Sequence, residues 1–157
     1  IICDEFDTKI YREFKKKCDS YFWNSHRNEA RGVGGLFFDY LRENNKHSLL
    51  DWYKYIKKFG STFLPTYLNI LLKRMNTNFN KSHKLWQEIR RGRYVEFNLV
   101  HDKGTLFGLK TGGRIESILM SLPPKVRWNY NFKPAPRSKE DELVKILKKP
   151  VDWIKIK

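Results

Sequence analysis

Cysteine is scarce in this chain of 157 residues: there are two, Cys3 and Cys18. Two thiols cannot build a disulfide framework, and this pair lacks the spacing of a zinc site. They suit a reducing compartment. No apolar run approaches the roughly 20 residues needed to cross a bilayer, and no secretory leader is visible. The chain opens Ile-Ile-Cys-Asp without an initiator Met, so it reads as a piece of a longer protein. Gly-x-Gly-x-x-Gly, Gly-Lys-Ser/Thr and His-Glu-x-x-His are all absent, which removes the usual warrants for nucleotide-dependent and zincin chemistry. Serine and cysteine nucleophile elbows are absent too. Acidic residues are few: 17 Asp+Glu stand against 32 Lys+Arg, a net charge of +15. That imbalance points to an anionic partner, whether nucleic acid, a membrane surface, or a polycarboxylate or phosphate ligand. Against these absences, 40% hydrophobic and 15% aromatic residues argue for a packed core, and the length suits one domain.

Periodicity predicts α+β, with an antiparallel sheet flanked by helices. Asp4 to Ser25 reads as a helix through Ile10, Phe14, Cys18 and Tyr21/Phe22. Gly32 to Leu41 reads as a strand covered on both faces. Ser48 to Met75 is helical, with Ser48 as N-cap, Asp51 at the N3 position, and Gly60 and Pro65 splitting it. Asn80 to Arg91 is a third helix. Residues 94–110 alternate about an Asp102-Lys103-Gly104 turn and predict a β-hairpin. Ile115 to Leu122 fits strand or short helix, and Val126 to Phe132 is strand-like. Ser138, with Asp141 three residues on, opens a last helix that Pro150 stops, and Trp153 docks the tail.

Several stretches could carry chemistry, each with a plainer alternative. Arg90-Arg91-Gly92-Arg93 could track a phosphate backbone; it also fits a helix C-terminus with Gly92 just past the end. Thr111-Gly112-Gly113-Arg114 could bring backbone N–H groups and a guanidinium to a carboxylate, or be a turn with an exposed arginine. Asp102 could hold a proton or accept N–H bonds, or simply cap its own turn. His26 is the most crowded histidine, flanked by Arg27, Glu29 and Arg31, and reads equally as functional or structural. His47, His83 and His101 lack such company, and His47 and His83 read as surface residues.

Four segments carry a resemblance: FKKKCDSYFWNSHRNEARGVGGLFFDYL (14–41), RRGRYVEFNLVHDKGTLFGLKTGGRIESILMSLPP (90–124), RWNYNF (127–132) and PVDW (150–153). In this order they resemble the C-terminal half of the oxygen-dependent coproporphyrinogen III oxidase family, over essentially the whole chain. The resemblance implies that 1–157 is the C-terminal portion of one larger domain and that the enzyme works as a homodimer through 94–129. It implies conversion of two propionates of coproporphyrinogen III to vinyls, giving protoporphyrinogen IX for haem synthesis, with molecular oxygen as co-substrate and release of carbon dioxide. No organic cofactor is required, and a divalent metal is disputed. Asp102, Arg31 and Lys103 are the implied catalytic residues. Asp102 is expected to accept the pyrrole N–H groups and polarise the ring for attack on oxygen. Gly112, Gly113 and Arg114 match a substrate-binding stretch, and His26 matches a histidine tied to the dimer contact or to the disputed metal. The proton-donating histidine falls in the N-terminal half, so this chain alone is expected to be inactive. The expected location is the cytoplasm, or the mitochondrial intermembrane space in a eukaryote, with no membrane span and no nucleic acid.

Three departures from the family pattern stand out. Asp-Arg-Gly is Asp102-Lys103-Gly104 here, which keeps the charge and loses the bidentate fork. Phe-Phe-Asp-Asp ends Asp39-Tyr40, and Arg-Trp-Glu-Tyr is Arg127-Trp128-Asn129-Tyr130. Two other readings stay open: a basic nucleic-acid-binding module, and a catalytically inactive homologue acting as a binding protein, which Lys103 and Tyr40 would favour.

Overall fold

Local capping chemistry decides where several of the helices begin. The computed structural model describes residues 2–154, so Ile1 and residues 155–157 of the expected domain 1–157 lie outside the described residues. These fall into two compact units. The first holds the described residues up to Cys18 together with Gly35–Phe79, and the second holds Asp19–Gly34 and the residues from Asn80 onward.

In the first unit, α1 (Ile2–Phe6) and α2 (Ile10–Tyr21, whose last turn belongs to the second unit) precede α3 (Leu49–Ser61) and α4 (Phe63–Arg74). Ser48 caps α3 as the spacing predicts. Its hydroxyl accepts from Asp51 N at 3.2 Å, and the Asp51 carboxylate accepts from Ser48 N at 2.9 Å. Two N–H groups that would otherwise lack partners are satisfied reciprocally. Ser48→Ala is therefore expected to lower stability by about 1 kcal/mol, read as a lower urea midpoint. Pro65 falls in the first turn of α4, where its missing N–H costs nothing. The core is aromatic: Phe14, Trp52 and Tyr55 are buried with Cys3 and Ile10, and Phe38 lies over Phe14 at 4.8 Å between ring centroids. By contrast α4 buries none of its residues, and Phe63, Leu64, Ile70 and Leu72 are each more than half exposed.

In the second unit, β1 (Trp23–Asn24) and β2 (Glu29–Ala30) pair antiparallel, with Trp23 opposite Ala30 and Asn24 opposite Glu29. A 3₁₀ turn over Ser25–Arg27 joins them and closes on Asn28 in the left-handed region, φ 50°, a conformation asparagine tolerates. Then come α5 (Lys81–Val100), α6 (Lys103–Lys110), α7 (Ile115–Leu119) and α8 (Lys139–Lys148). Asn80 caps α5 through His83 N, and Ser138 caps α8 through Asp141 N. The chain is thus α+β, mostly helical with one two-stranded antiparallel sheet among the described residues.

The structure corrects several expected elements. The helix over Asp4 to Ser25 is two helices broken around residues 7–9, and its end is β1. Residues 32–41 form no strand: Phe37 N bonds to the Phe14 carbonyl, and no neighbouring strand is there to complete a ladder among the described residues. Val126 to Phe132 forms none either, and Ile115 to Leu119 is helix. Residues 94–110 are helical throughout except for a break at 101–102, so the predicted hairpin is absent. The physical reason lies in α5, which buries Glu88, Ile89, Gly92, Arg93, Val95 and Phe97. The 88/89, 92/93 and 96/97 rows have helical spacing, but half of those positions are charged, so an apolar count shows alternation instead.

Gly92 does not end a helix, contrary to the reading of Arg90–Arg93; it lies inside α5. A Cβ there would meet the Arg127 carbonyl oxygen at 2.9 Å and the Trp128 ring at 3.3 Å. The 127–128 segment approaches because no side chain intervenes, and Arg127 N donates to the Glu88 carbonyl. Alanine gains about 1 kcal/mol in helix propensity, but a backbone clash cannot rotate away. Gly92→Ala is expected to destabilise by a net 1–2 kcal/mol or so, seen as a lower denaturant midpoint with an unchanged m-value.

Candidate active site around Phe97

Phe97 is fully buried on α5. Around its ring stand Phe22 at 5.4 Å, Tyr21 at 5.8 Å, His101 at 6.2 Å and the Arg31 guanidinium at 5.0 Å. The Arg31 guanidinium also lies over Phe22 at 4.3 Å and Tyr94 at 5.0 Å. Three aromatic faces thus receive the cation. The Phe97 carbonyl accepts from both His101 N, at 2.8 Å, and Asp102 N, at 2.9 Å. One residue therefore collects Arg31, His101, Tyr21 and Asp102 about itself.

Asp102 is the N-cap of α6. Its Oδ2 accepts from Thr105 N at 2.8 Å and from Thr105 Oγ1 at 3.0 Å. Its Oδ1 accepts from the Tyr21 hydroxyl at 3.2 Å. The plain turn role and the site role thus fall on different oxygens, and Oδ1 keeps a lone pair for a further donor. Lys103 is exposed; its backbone N–H donates to the Tyr21 oxygen at 3.3 Å and its Nζ lies 5.9 Å from the Tyr21 ring.

His26 sits in the 3₁₀ turn beside a saturated carboxylate. Glu96 accepts from His26 Nε2 at 2.8 Å, Arg27 Nε at 2.9 Å and Arg27 NH2 at 2.7 Å. It also accepts from Arg93 NH1 and Trp128 Nε1, each at 2.9 Å. Burial pushes the Glu96 carboxyl up, but the hydrogen bonds from Arg27 and His26 and the charge of Arg93 outweigh it and hold it at about 2. His26 Nδ1 meets His101 Nε2 at 3.0 Å, with the rings stacked at 5.2 Å. His101, read from sequence as lacking company, is therefore the partner of His26. Both ring nitrogens of His26 are engaged, and a cation would have to displace His101 or Glu96. Among the described residues no group of three or more His, Cys, Asp or Glu side chains is placed to hold a metal. This arrangement does not fit a metal centre at His26.

Thr111-Gly112-Gly113 forms the expected turn, with Gly112 at φ 71°. Gly113 N bonds to the Gly108 carbonyl, and a Cβ on Gly113 would meet that oxygen at 2.8 Å. Arg114 begins α7 with its side chain exposed. Among the described residues no hydrogen bond or ion pair joins Arg114 to Asp102, whereas Asp102, Lys103 and Arg31 share the Tyr21–Phe97 cluster. Sequence reading missed Tyr21, Glu96 and Trp128. Helical spacing from Arg93 to Glu96 and from Phe97 to His101 would have shown part of the group, had residues 94–101 been read as helix. A separate cleft of about 610 Å³ in the first unit, walled by Lys9, Phe14, Arg42 and Trp52 among others, contains none of the expected site residues.

No described helix is long and apolar enough to cross a membrane. The sequence pattern of the family described as coproporphyrinogen III oxidase matches residues 1–153. The chain is 50% identical over 152 residues to the chloroplastic oxygen-dependent coproporphyrinogen-III oxidase of Hordeum vulgare, covering 97% of this chain and 38% of that protein. It is 50% identical over 154 residues to the oxygen-dependent coproporphyrinogen-III oxidase of Francisella philomiragia, covering 98% and 49%. Coproporphyrinogen-III oxidase 1 of Arabidopsis thaliana is 49% identical over 152 residues, covering 97% and 39%. The chain thus spans half or less of the length of these relatives. With half of its aligned positions identical to the barley protein and half to the Francisella protein, and the family pattern matching residues 1–153, the chain belongs to the coproporphyrinogen III oxidase family.

Proposed function

We propose that this chain forms the C-terminal part of an oxygen-dependent coproporphyrinogen III oxidase. The observation that carries the reading is Asp102: one carboxylate oxygen anchors α6 while Oδ1 keeps capacity for N–H donors beside the cationic Arg31 cluster. A porphyrinogen offers pyrrole N–H groups at its centre and carboxylates at its rim. In this reading Oδ1 accepts the pyrrole N–H groups and raises ring electron density. Arg31 and Lys103 set positive charge near the departing carboxylates, and Gly112, Gly113 and Arg114 receive a propionate. Each reacting propionate loses its carboxylate as carbon dioxide, and one proton and two electrons leave with the breaking of a C–H bond on the carbon attached to the pyrrole, creating a vinyl. Two such steps release four electrons, which with four protons reduce one dioxygen to two waters. The reading calls for no organic cofactor, in keeping with the missing nucleotide fingerprints, and derives no step through a metal.

The same reading has the enzyme dimerise through 94–129. That segment exposes Val100, Phe107, Ile115 and Met120, an unusual apolar load for a free surface. The test is a chimera in which this chain replaces the matching portion of the Francisella philomiragia relative. The expected result is conversion of coproporphyrinogen III to protoporphyrinogen IX with oxygen uptake and carbon dioxide release. A folded chimera without turnover would sink the reading, and salt-sensitive binding of DNA in its place would favour the basic nucleic-acid module.

A further inference from the structure

The geometry points to Tyr21 as the residue that positions Asp102 for reaction, an inference that rests on Asp102 acting as proposed above. Thr105 fixes Oδ2 through two hydrogen bonds. By itself that leaves the carboxylate pivoting on one oxygen. Tyr21 supplies the second hold, its hydroxyl donating to Oδ1 at 3.2 Å. The direction of that bond is set by the backbone. Lys103 N donates into the phenol oxygen at 3.3 Å, which occupies a lone pair and turns the hydroxyl proton toward Asp102. The ring carrying the hydroxyl is itself held edge-on by Phe22 at 4.9 Å and by Phe97 at 5.8 Å. Asp102, Lys103 and Tyr21 therefore form a closed circuit, and the free lone pair of Oδ1 has one orientation.

The circuit also bears on the lysine that replaces the family's usual arginine at position 103. The bond to Tyr21 comes from the main chain, so the change of side chain leaves it intact. Positioning of Asp102 is thereby separated from whatever the residue 103 side chain does for a carboxylate.

Tyr21→Phe removes one oxygen and keeps every ring contact. Measured in the chimera, it is expected to lower kcat roughly 10- to 100-fold, as loss of a hydrogen bond to a charged group implies. KM should stay within about twofold. The double variant Tyr21→Phe/Asp102→Asn is expected to be no slower than Asp102→Asn alone, because a positioning residue has nothing left to position. A purely structural tyrosine would give additive losses and a fallen melting temperature. Three results overturn the inference. If Tyr21→Phe turns over normally while Asp102→Asn is crippled, Tyr21 is excluded and the reading of Asp102 survives. If the losses add, Tyr21 acts independently of Asp102. If Asp102→Asn turns over normally, both ideas fall. Should Tyr21→Phe not fold, meta-tyrosine at position 21 moves the hydroxyl on an unchanged ring, and the same outcomes decide.

Discussion

In the chimera, and on the proposed function, Asp102→Asn is expected to cut turnover of coproporphyrinogen III by roughly 10²- to 10³-fold, the usual cost of losing one preorganised electrostatic group, while the melting temperature barely moves. Asparagine caps helices about as well as aspartate, so the bond from Thr105 N survives and α6 keeps its start. What is lost is the negative charge and, at one of the two positions, the acceptor itself. Asp102→Ala adds loss of the cap, about 1 kcal/mol, and so mixes two effects. The asparagine variant separates them: turnover measured beside thermal denaturation distinguishes an acceptor for substrate from a residue that only starts a helix. If asparagine restored full activity, Asp102 would be a cap and nothing more.

The second large effect concerns Glu96. Glu96→Gln removes the anion that gathers His26, Arg27, Arg93 and Trp128, and leaves the buried Arg93 with Glu29, at 3.7 Å, as its remaining ion-pair partner among the described residues. The expected destabilisation is about 3 kcal/mol, as for other broken, poorly solvated ion pairs, visible as a drop in melting temperature of several degrees. The acid response follows from the same carboxylate. Its folded value of about 2 lies below the ordinary 4.5. Its contribution is therefore fully present above pH 4.5 and is lost as pH falls from 4.5 toward 2. The glutamine variant should show a flatter loss of stability across that window in urea titrations at successive pH values. A wild-type slope in the variant would mean that other carboxylates govern acid unfolding.

The parts of the fold that were legible in the sequence are those fixed by neighbours in the chain. Ser48 with Asp51, Ser138 with Asp141, the split of the long helical region near Pro65, and the Gly112–Gly113 turn all appear where expected. Each depends on a hydrogen bond or backbone preference acting within four residues. The misread elements depend on partners far along the chain. Residues 32–41 have strand composition, yet a strand exists only when another lies beside it. Residues 94–101 alternate in polarity, yet their burial is set by Glu88, Arg93 and Glu96, charged residues that enter the interior because Arg127, Glu29 and Arg27 meet them there.

The candidate site divides in the same way. The crowding of charge about His26 correctly flagged a dense electrostatic cluster, but its centre, Glu96, lies 70 positions away. Asp102 was singled out within a turn, and what lends it orientation is a phenol 81 positions earlier. No spacing rule reaches across such gaps. Phe22, Tyr94 and Phe97, the rings that receive Arg31, read as helix and hairpin positions in the sequence, which gives no sign that they meet about one guanidinium.

The doubled acceptor near the end of α5 ties the two halves of the site to one place in the chain. A single carbonyl, that of Phe97, accepts from the main chain of both His101 and Asp102, so one peptide group anchors the two residues together. His101, the partner of His26, and the acid of the inner cluster thus share one backbone acceptor, a bond that needs no side chain at either position.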